Sequence, residues 1–274
     1  MENFTNYLKQ ARKDINHSLV VWTSLLTSEF SNKIKYMYAK GSAVKPWCTP
    51  LDYVPILSDL DIHIMLKDGN NIFYDEPDPV KKSLEISEKY EQTFTKEYSN
   101  ALHLPRTQLV TINQLLTSTD YIPPRIKDVR IMYGEPCTPF FPEPHRIREI
   151  DYNHLIKIKR TVENIPMSLI DRSGLDYWTL IRKFNWQVSP TPVRLLTQVS
   201  DFVPEEIWSW NRTKITTEIE NIGYKQIAAH YKQYYLSGWK AFFAENRDNH
   251  AFRQIIYHGY KVLYLSLQVL QEIK

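Results

Sequence analysis

Glycine is scarce in this chain of 274 residues. There are seven in all, none of them in the Gly-x-x-x-x-Gly-Lys-Ser/Thr spacing that cradles phosphates or in the Gly-x-Ser-x-Gly of a nucleophile elbow. A Walker-type ATPase and an elbow-type serine hydrolase are thereby excluded. Cysteine is scarcer still: Cys48 and Cys137 stand alone, with no Cys-x-x-Cys, and the eight histidines include no His-Glu-x-x-His. Two free thiols are expected rather than a zinc ladder. No apolar run approaches the roughly 20 residues that span a bilayer. The stretch MENFTNYLKQARKDINHSLVVW lacks a basic region followed by an apolar one. A cytoplasmic protein with no membrane partner is the expectation. The net charge of +3 is too small to argue by itself for nucleic acid, although residues 151–274 carry 16 basic against 12 acidic side chains.

What the chain has in quantity is aromatic residues and proline: 18 Tyr, seven Trp and 16 Pro. Amphipathic rings belong at packed interfaces and cleft walls, and their abundance in the helical half is compatible with a homodimer. Apolar spacing of three and four predicts a helix over 2–30. Strict alternation then predicts strands at 34–39 and 57–66, with further strands at 107–113 and 129–133. A helix at 80–99 opens on Pro79. Beyond the proline-rich stretch 138–146 strand signals stop. Helices are predicted over 151–165, 175–187, 191–200, 204–244 with an interruption near Gly223, and 249–273. The expected fold is α+β, with a small mixed-sheet domain over 1–145 followed by an all-helical domain over 146–274.

The chemistry concentrates between residues 36 and 66. A strand runs into Gly41-Ser42, a loop carrying Pro46, Pro50 and Pro55 follows, and a second strand begins Ser58-Asp59-Leu60-Asp61. Alternation puts Leu60, Ile62, Ile64 and Leu66 on one face of that strand and Asp59, Asp61 and His63 on the other. Aspartates two apart on a strand lie about 6.7 Å from Cα to Cα. At an effective dielectric near 20 their repulsion is roughly 2.5 kcal/mol, which a divalent cation between them would reverse. Oxygen-only ligands on a rigid strand suit Mg²⁺ or Mn²⁺, whose remaining positions go to water and nucleotide phosphates. A Gly-Ser turn lets backbone approach a phosphate closely and adds the Ser42 hydroxyl as a donor.

The ordered pattern of strand, Gly41-Ser42, loop, then Ser58-Asp59-Leu60-Asp61 on an apolar strand resembles the nucleotidyltransferase fold family of the DNA polymerase beta superfamily. Within it the pattern resembles in particular the aminoglycoside nucleotidylyltransferase-like proteins with a helical C-terminal domain. The resemblance covers roughly residues 20–135, with "VRIMYG" at 129–134 similar to the close of such a domain. It implies an enzyme that moves a nucleoside monophosphate from an NTP, ATP being the first choice of donor, to a hydroxyl acceptor, a small molecule being favoured over protein or RNA. It also implies that Asp59 and Asp61 are catalytic and hold two Mg²⁺ ions, and that Gly41, Ser42 and Ser58 bind the nucleotide. Separately, HLIKIKR puts Lys157 and Arg160 on neighbouring turns of the first C-terminal helix, where they form either a solvated face or, through Lys157, a contact to the triphosphate.

Two features depart from that pattern. Fifteen residues separate Ser42 from Ser58, and they include Trp47, Asp52 and Tyr53, which either line an acceptor site or pack as a flap. Active family members also carry a third carboxylate on a later strand, whereas Thr107-Gln-Leu-Val-Thr-Ile-Asn113 has no acid. The equivalent face is expected to carry Thr111 or Asn113. Three readings stay open: Glu97, Asp120 or Asp52 completes the site; two carboxylates suffice; or the chain binds nucleotide or RNA without transferring anything.

Overall fold

The computed structural model describes residues 4–69, 71–137 and 141–273. Asn70 and residues 138–140 of the proline-rich stretch lie outside the described residues. The fold is α+β. A mixed four-stranded sheet is accompanied by helices, and the chain divides into two compact units, Met1–Lys45 with Ser58–Phe141 and Pro46–Leu57 with Pro142–Lys274.

The first unit begins with α1 (Phe4–Phe30), then β1 (Ile34–Lys40), a single 3₁₀ turn (Gly41–Ala43), β2 (Leu60–Leu66), α2 (Pro79–Glu97), β3 (Thr107–Thr111) and β4 (Arg130–Tyr133). Strand order is β3-β2-β1-β4, antiparallel except for the β2–β3 pair. That parallel pair follows from the connection, because a helix between two strands carries the chain back to the starting edge. Asp78 caps α2 by accepting from the Lys81 N–H, with Pro79 at the first helical position, where a missing N–H costs nothing. Leu60, Ile62, Ile64 and Leu66 are all buried. Ile64 faces Trp22, Leu26 and Phe30 of α1 and Ile86 of α2, so the even-numbered side of β2 is the helix-covered core. On the opposite side Tyr36, Tyr38 and Ile112 form a second cluster against Met65, Val110 and Val129.

The second unit contains α3 (Pro144–Leu169), α4 (Leu175–Val188), α5 (Thr191–Val199), α6 (Pro204–Ser209), α7 (Arg212–Asn221), α8 (Lys225–Phe243) and α9 (Asn249–Glu272). The stretch expected to break only near Gly223 breaks also at Trp210, because Asn211 accepts from the Lys214 N–H at 2.9 Å and starts α7. Helix α3 begins two turns earlier than the periodicity suggested, with Pro144 at its first position.

Segment 46–57 belongs to this helical unit. Trp239 Nε1 donates to the Pro50 carbonyl at 2.8 Å, Arg212 to the Leu51 carbonyl at 3.1 Å, and Asn185 Nδ2 to the Leu57 carbonyl at 2.8 Å. The Asp52 carboxylate accepts from the Cys48 and Thr49 N–H groups and from Thr213 N–H and hydroxyl. A Cβ on Gly238 would stand 2.7 Å from Leu57 Cδ1 and 2.8 Å from Val54 Cγ1. Only a glycine lets the segment lie this close to α8. Tyr53 is fully buried, so its ring and the Asp52 carboxylate pack within the helical unit. Among the described residues, no helix is long and apolar enough to cross a membrane. Cys48 and Cys137 are exposed free thiols.

Candidate functional site

The Gly-Ser turn and the aspartate pair are built as one piece. Lys40, the last residue of β1, stands opposite Asp61 of β2, so Gly41 leaves the sheet directly over the Asp61 carboxylate. Gly41 has φ +77°, and a Cβ there would lie 2.5 Å from Asp61 Oδ2. Both the left-handed backbone and the close approach require glycine. The far side of the turn is held by Arg12 of α1, whose guanidinium donates to the Ala43 carbonyl at 2.5 Å and the Lys45 carbonyl at 2.7 Å. Gly41→Ala is therefore expected to displace the Asp61 carboxylate, to cost about 1–3 kcal/mol of stability, and to weaken any ligand of that carboxylate at least about tenfold. Urea unfolding and ligand titration of the variant check this. Unchanged ligand affinity would mean that the turn and the acid act separately.

Asp59 is one residue before the first β2–β3 ladder pair, Leu60 with Thr107. At that position it meets Arg106, whose Nε donates to Asp59 Oδ1 at 2.5 Å. Arg106 is fixed from the backbone. Its carbonyl accepts from the Leu60 N–H at 2.8 Å, and the preceding Pro105 carbonyl accepts from the buried Tyr90 hydroxyl at 2.8 Å. Each aspartate thus has a neighbouring cation, Arg106 just before β3 for Asp59 and Lys40 at the end of β1 for Asp61. Burial lowers the Lys40 pKa, and the facing Asp61 works against that shift. A guanidinium about 4 Å from a carboxylate contributes about 4 kcal/mol of attraction at an effective dielectric near 20. That outweighs the roughly 2.5 kcal/mol of repulsion within the acid pair. The protein's own bases already offset the charge that the sequence left unbalanced.

The residue across from Asp61 on β3 is Gln108. This corrects the expectation that Thr111 or Asn113 shares the face of the pair. Thr111 stands across from Ile64, on the helix-covered side. The Asn113 amide instead accepts from the Leu66 N–H and donates to the Leu66 carbonyl, at the other end of β2. The parallel register, invisible in the sequence, decides this. The Asp52 carboxylate is consumed within the helical unit. Glu97, at the end of α2, and Asp120 are exposed. Among the described residues no group of three or more His, Cys, Asp or Glu side chains could hold a metal ion. The donor set at Asp59 and Asp61 fits one oxygen-liganded divalent ion completed by water and phosphate, and not a second ion held by a third acid.

His63 continues the face of the aspartates but is buried at 4 % exposure. Its Nδ1 lies 3.4 Å from the Tyr38 hydroxyl and 3.3 Å from that of Tyr121. Burial, assisted by Lys40, pushes its pKa down to about 2, and burial pushes Tyr121 up to about 12. All three are uncharged at neutral pH and form a polar cluster next to Asp61 along the same face of β2. Ser58 is buried beside Asp59, and Ser42 is half-buried. Lys157 is exposed on α3 of the helical unit. Elsewhere, His230 and His258 bring their Nδ1 atoms to 2.9 Å with ring centroids 5.1 Å apart. The rings are tilted by 41°, and one Nδ1 donates to the other.

Arg106, Lys40, Gln108 and Arg12 were not singled out by sequence reasoning. Arg106 and Gln108 had a signal in principle, as polar residues at the start of the strand following the helix. Arg12 had none, because its role depends on a turn 31 residues away. No family model, curated protein or solved structure matches the chain.

Proposed function

We propose that the chain is an Mg²⁺-dependent nucleotidyltransferase, which moves a nucleoside monophosphate from an NTP, ATP first, to a hydroxyl on a small acceptor in the cytoplasm. The observation that carries this reading is the seating of Gly41 on the Asp61 carboxylate. The phosphate-gripping turn and the metal-ligating acids of this reading lie together where the two inner strands β1 and β2 meet at Lys40 and Asp61. In this reading Asp59 and Asp61 hold the ion, and Gly41, Ser42 and Ser58 line the phosphate side. The bound ion supplies charge neutralisation for the departing pyrophosphate. The acceptor oxygen forms its bond to the α-phosphorus as the bond between that phosphorus and the α–β bridging oxygen breaks. The acceptor proton passes to water or to pyrophosphate, since among the described residues no third carboxylate joins the pair to take it.

A second reading, nucleotide or RNA binding without transfer, is favoured by one specific observation. Across from Asp61 stands Gln108, an amide that holds no second ion and takes no proton. Calorimetric titration with each of the four NTPs, in Mg²⁺ and then in EDTA, followed by assay for pyrophosphate, separates the two. Metal-dependent binding with slow pyrophosphate release supports the transferase and identifies its donor base. Binding without release in the presence of hydroxylated acceptors supports the binding protein. No metal-dependent binding of any NTP refutes the transferase and the nucleotide form of the second reading, and leaves RNA as the ligand to titrate.

A further inference from the structure

We infer that Arg106 is an exchangeable counter-ion: it holds Asp59 while the site lacks nucleotide and passes to the phosphate chain when the Mg²⁺ nucleotide enters. The inference rests on the proposed nucleotide reading and adds to it a residue with a defined task. It starts from charge. Two acids, Asp59 and Asp61, face two bases, Arg106 at 2.5 Å from Asp59 and Lys40 across from Asp61. An electrically balanced site offers a bare divalent cation little, because the ion must expel a guanidinium from Asp59 before it can coordinate there.

A nucleoside triphosphate with Mg²⁺ carries a net negative charge, so it brings both the cation that takes Asp59 and an anion that receives Arg106. Guanidinium is the side chain suited to that exchange. It keeps its charge throughout the accessible pH range, and its planar fork pairs with carboxylate and phosphate alike. The platform beneath it does not need to move, since the Arg106 carbonyl is bound by Leu60 and the Pro105 carbonyl by Tyr90. Only the side chain, 28 % exposed, changes partner. The result is a site selective for the metal–triphosphate complex over the free metal.

The test is calorimetric titration of the full chain, as wild type, Arg106→Gln and Arg106→Lys, with MgCl₂ alone and with NTP in Mg²⁺. Exchange predicts opposite signs in Arg106→Gln: affinity for Mg²⁺ alone rises about 3- to 10-fold because Asp59 is released, while affinity for Mg²⁺–NTP falls about 10- to 100-fold. Arg106→Lys keeps a point charge that serves both partners. It should leave Mg²⁺ affinity near wild type and lower nucleotide affinity less than about tenfold. Arg106→Lys keeps the question answerable should the glutamine variant fold poorly. A purely structural Arg106 would weaken both ligands together, and that result overturns the inference. So does a glutamine variant with both affinities unchanged. A wild type that binds no triphosphate, with Mg²⁺ binding still strengthened in Arg106→Gln, overturns the nucleotide reading and leaves the Arg106–Asp59 pair as a plain ion pair.

Discussion

Replacing Asp59 and Asp61 together by asparagine should lower the affinity for Mg²⁺–NTP at least about 100-fold, a loss of roughly 2.7 kcal/mol. The variant should nevertheless remain folded. The affinity loss follows from removing both charged oxygen ligands of a hard cation, which neutral amides replace poorly. The stability effect is a balance. Asparagine removes the repulsion within the pair, but it also strands Arg106 and Lys40, whose compensating carboxylates are gone. Arg106 keeps contact with water at 28 % side-chain exposure, so screening discounts its loss to about 1 kcal/mol. A thermal midpoint lower by a few degrees is expected, together with the loss of metal-dependent heat in calorimetry. Nucleotide affinity that is unchanged and still metal-dependent would show that the ion binds elsewhere. A collapse of the fold would show that the acid pair is a structural element.

The second large effect lies far from that site in sequence. Asp151 of α3 is fully buried. Its Oδ2 accepts from the Thr197 hydroxyl and from Trp208 Nε1, both at 3.0 Å, and its Oδ1 stands 3.7 Å from Arg194 Nε. The network ties α3 to α5 and α6. Asp151→Ala removes two hydrogen bonds and leaves a buried guanidinium without its counter-ion, at a cost of about 3–5 kcal/mol. In a chain of this size that lowers the thermal midpoint by on the order of 10 °C. A loss below about 1 kcal/mol in urea unfolding would mean that Arg194 finds another acceptor or reaches water.

The same carboxyl has a pH signature. Burial pushes its pKa from the ordinary 3.8 up to about 6, against the lowering effects of Trp208, Arg194 and Thr197. Between those values the folded chain keeps a proton at Asp151 that the unfolded chain has lost. The folded state binds more protons, so stability falls as pH rises from about 4 to about 6 and is level above. The size of the fall is on the order of 3 kcal/mol. Other groups titrate in the same range, so the comparison is with Asp151→Asn, whose stability profile should lack this component. Parallel profiles for the two proteins would remove Asp151 as the cause.

The way loop 46–57 is used shows where reading residues in order falls short. Pro46, Pro50 and Pro55 exclude a strand, and that much follows from chemistry local to each residue. That Asp52 caps neighbours in α7, and that Trp239 binds the Pro50 carbonyl, depends on contacts across more than 160 residues. No local propensity encodes them. The added break at Asn211 is a milder case. Its capping side chain is a recognisable signal, but an apolar periodicity that runs on across it outweighs one residue.

The division is sharpest at the acid pair. Alternation along residues 60–66 was enough to separate a buried aliphatic face from an acidic one, since the two-residue period of a strand is a property of the backbone itself. The scarcity of glycine likewise made the one at position 41 conspicuous, ahead of any knowledge that its φ is +77° or that Asp61 leaves no room for a Cβ. What stands beside each aspartate was decided by the register of β1 and β3 against β2. Register is the result of packing both sheet faces at once. It brought Lys40 to Asp61, placed Gln108 where a third acid was sought, and seated Arg106 on Asp59. The two carboxylates can be read from the eight consecutive residues 59–66. Their counter-ions, and with them the charge that any ligand meets, come from Lys40, 21 residues before Asp61, and Arg106, 47 residues after Asp59.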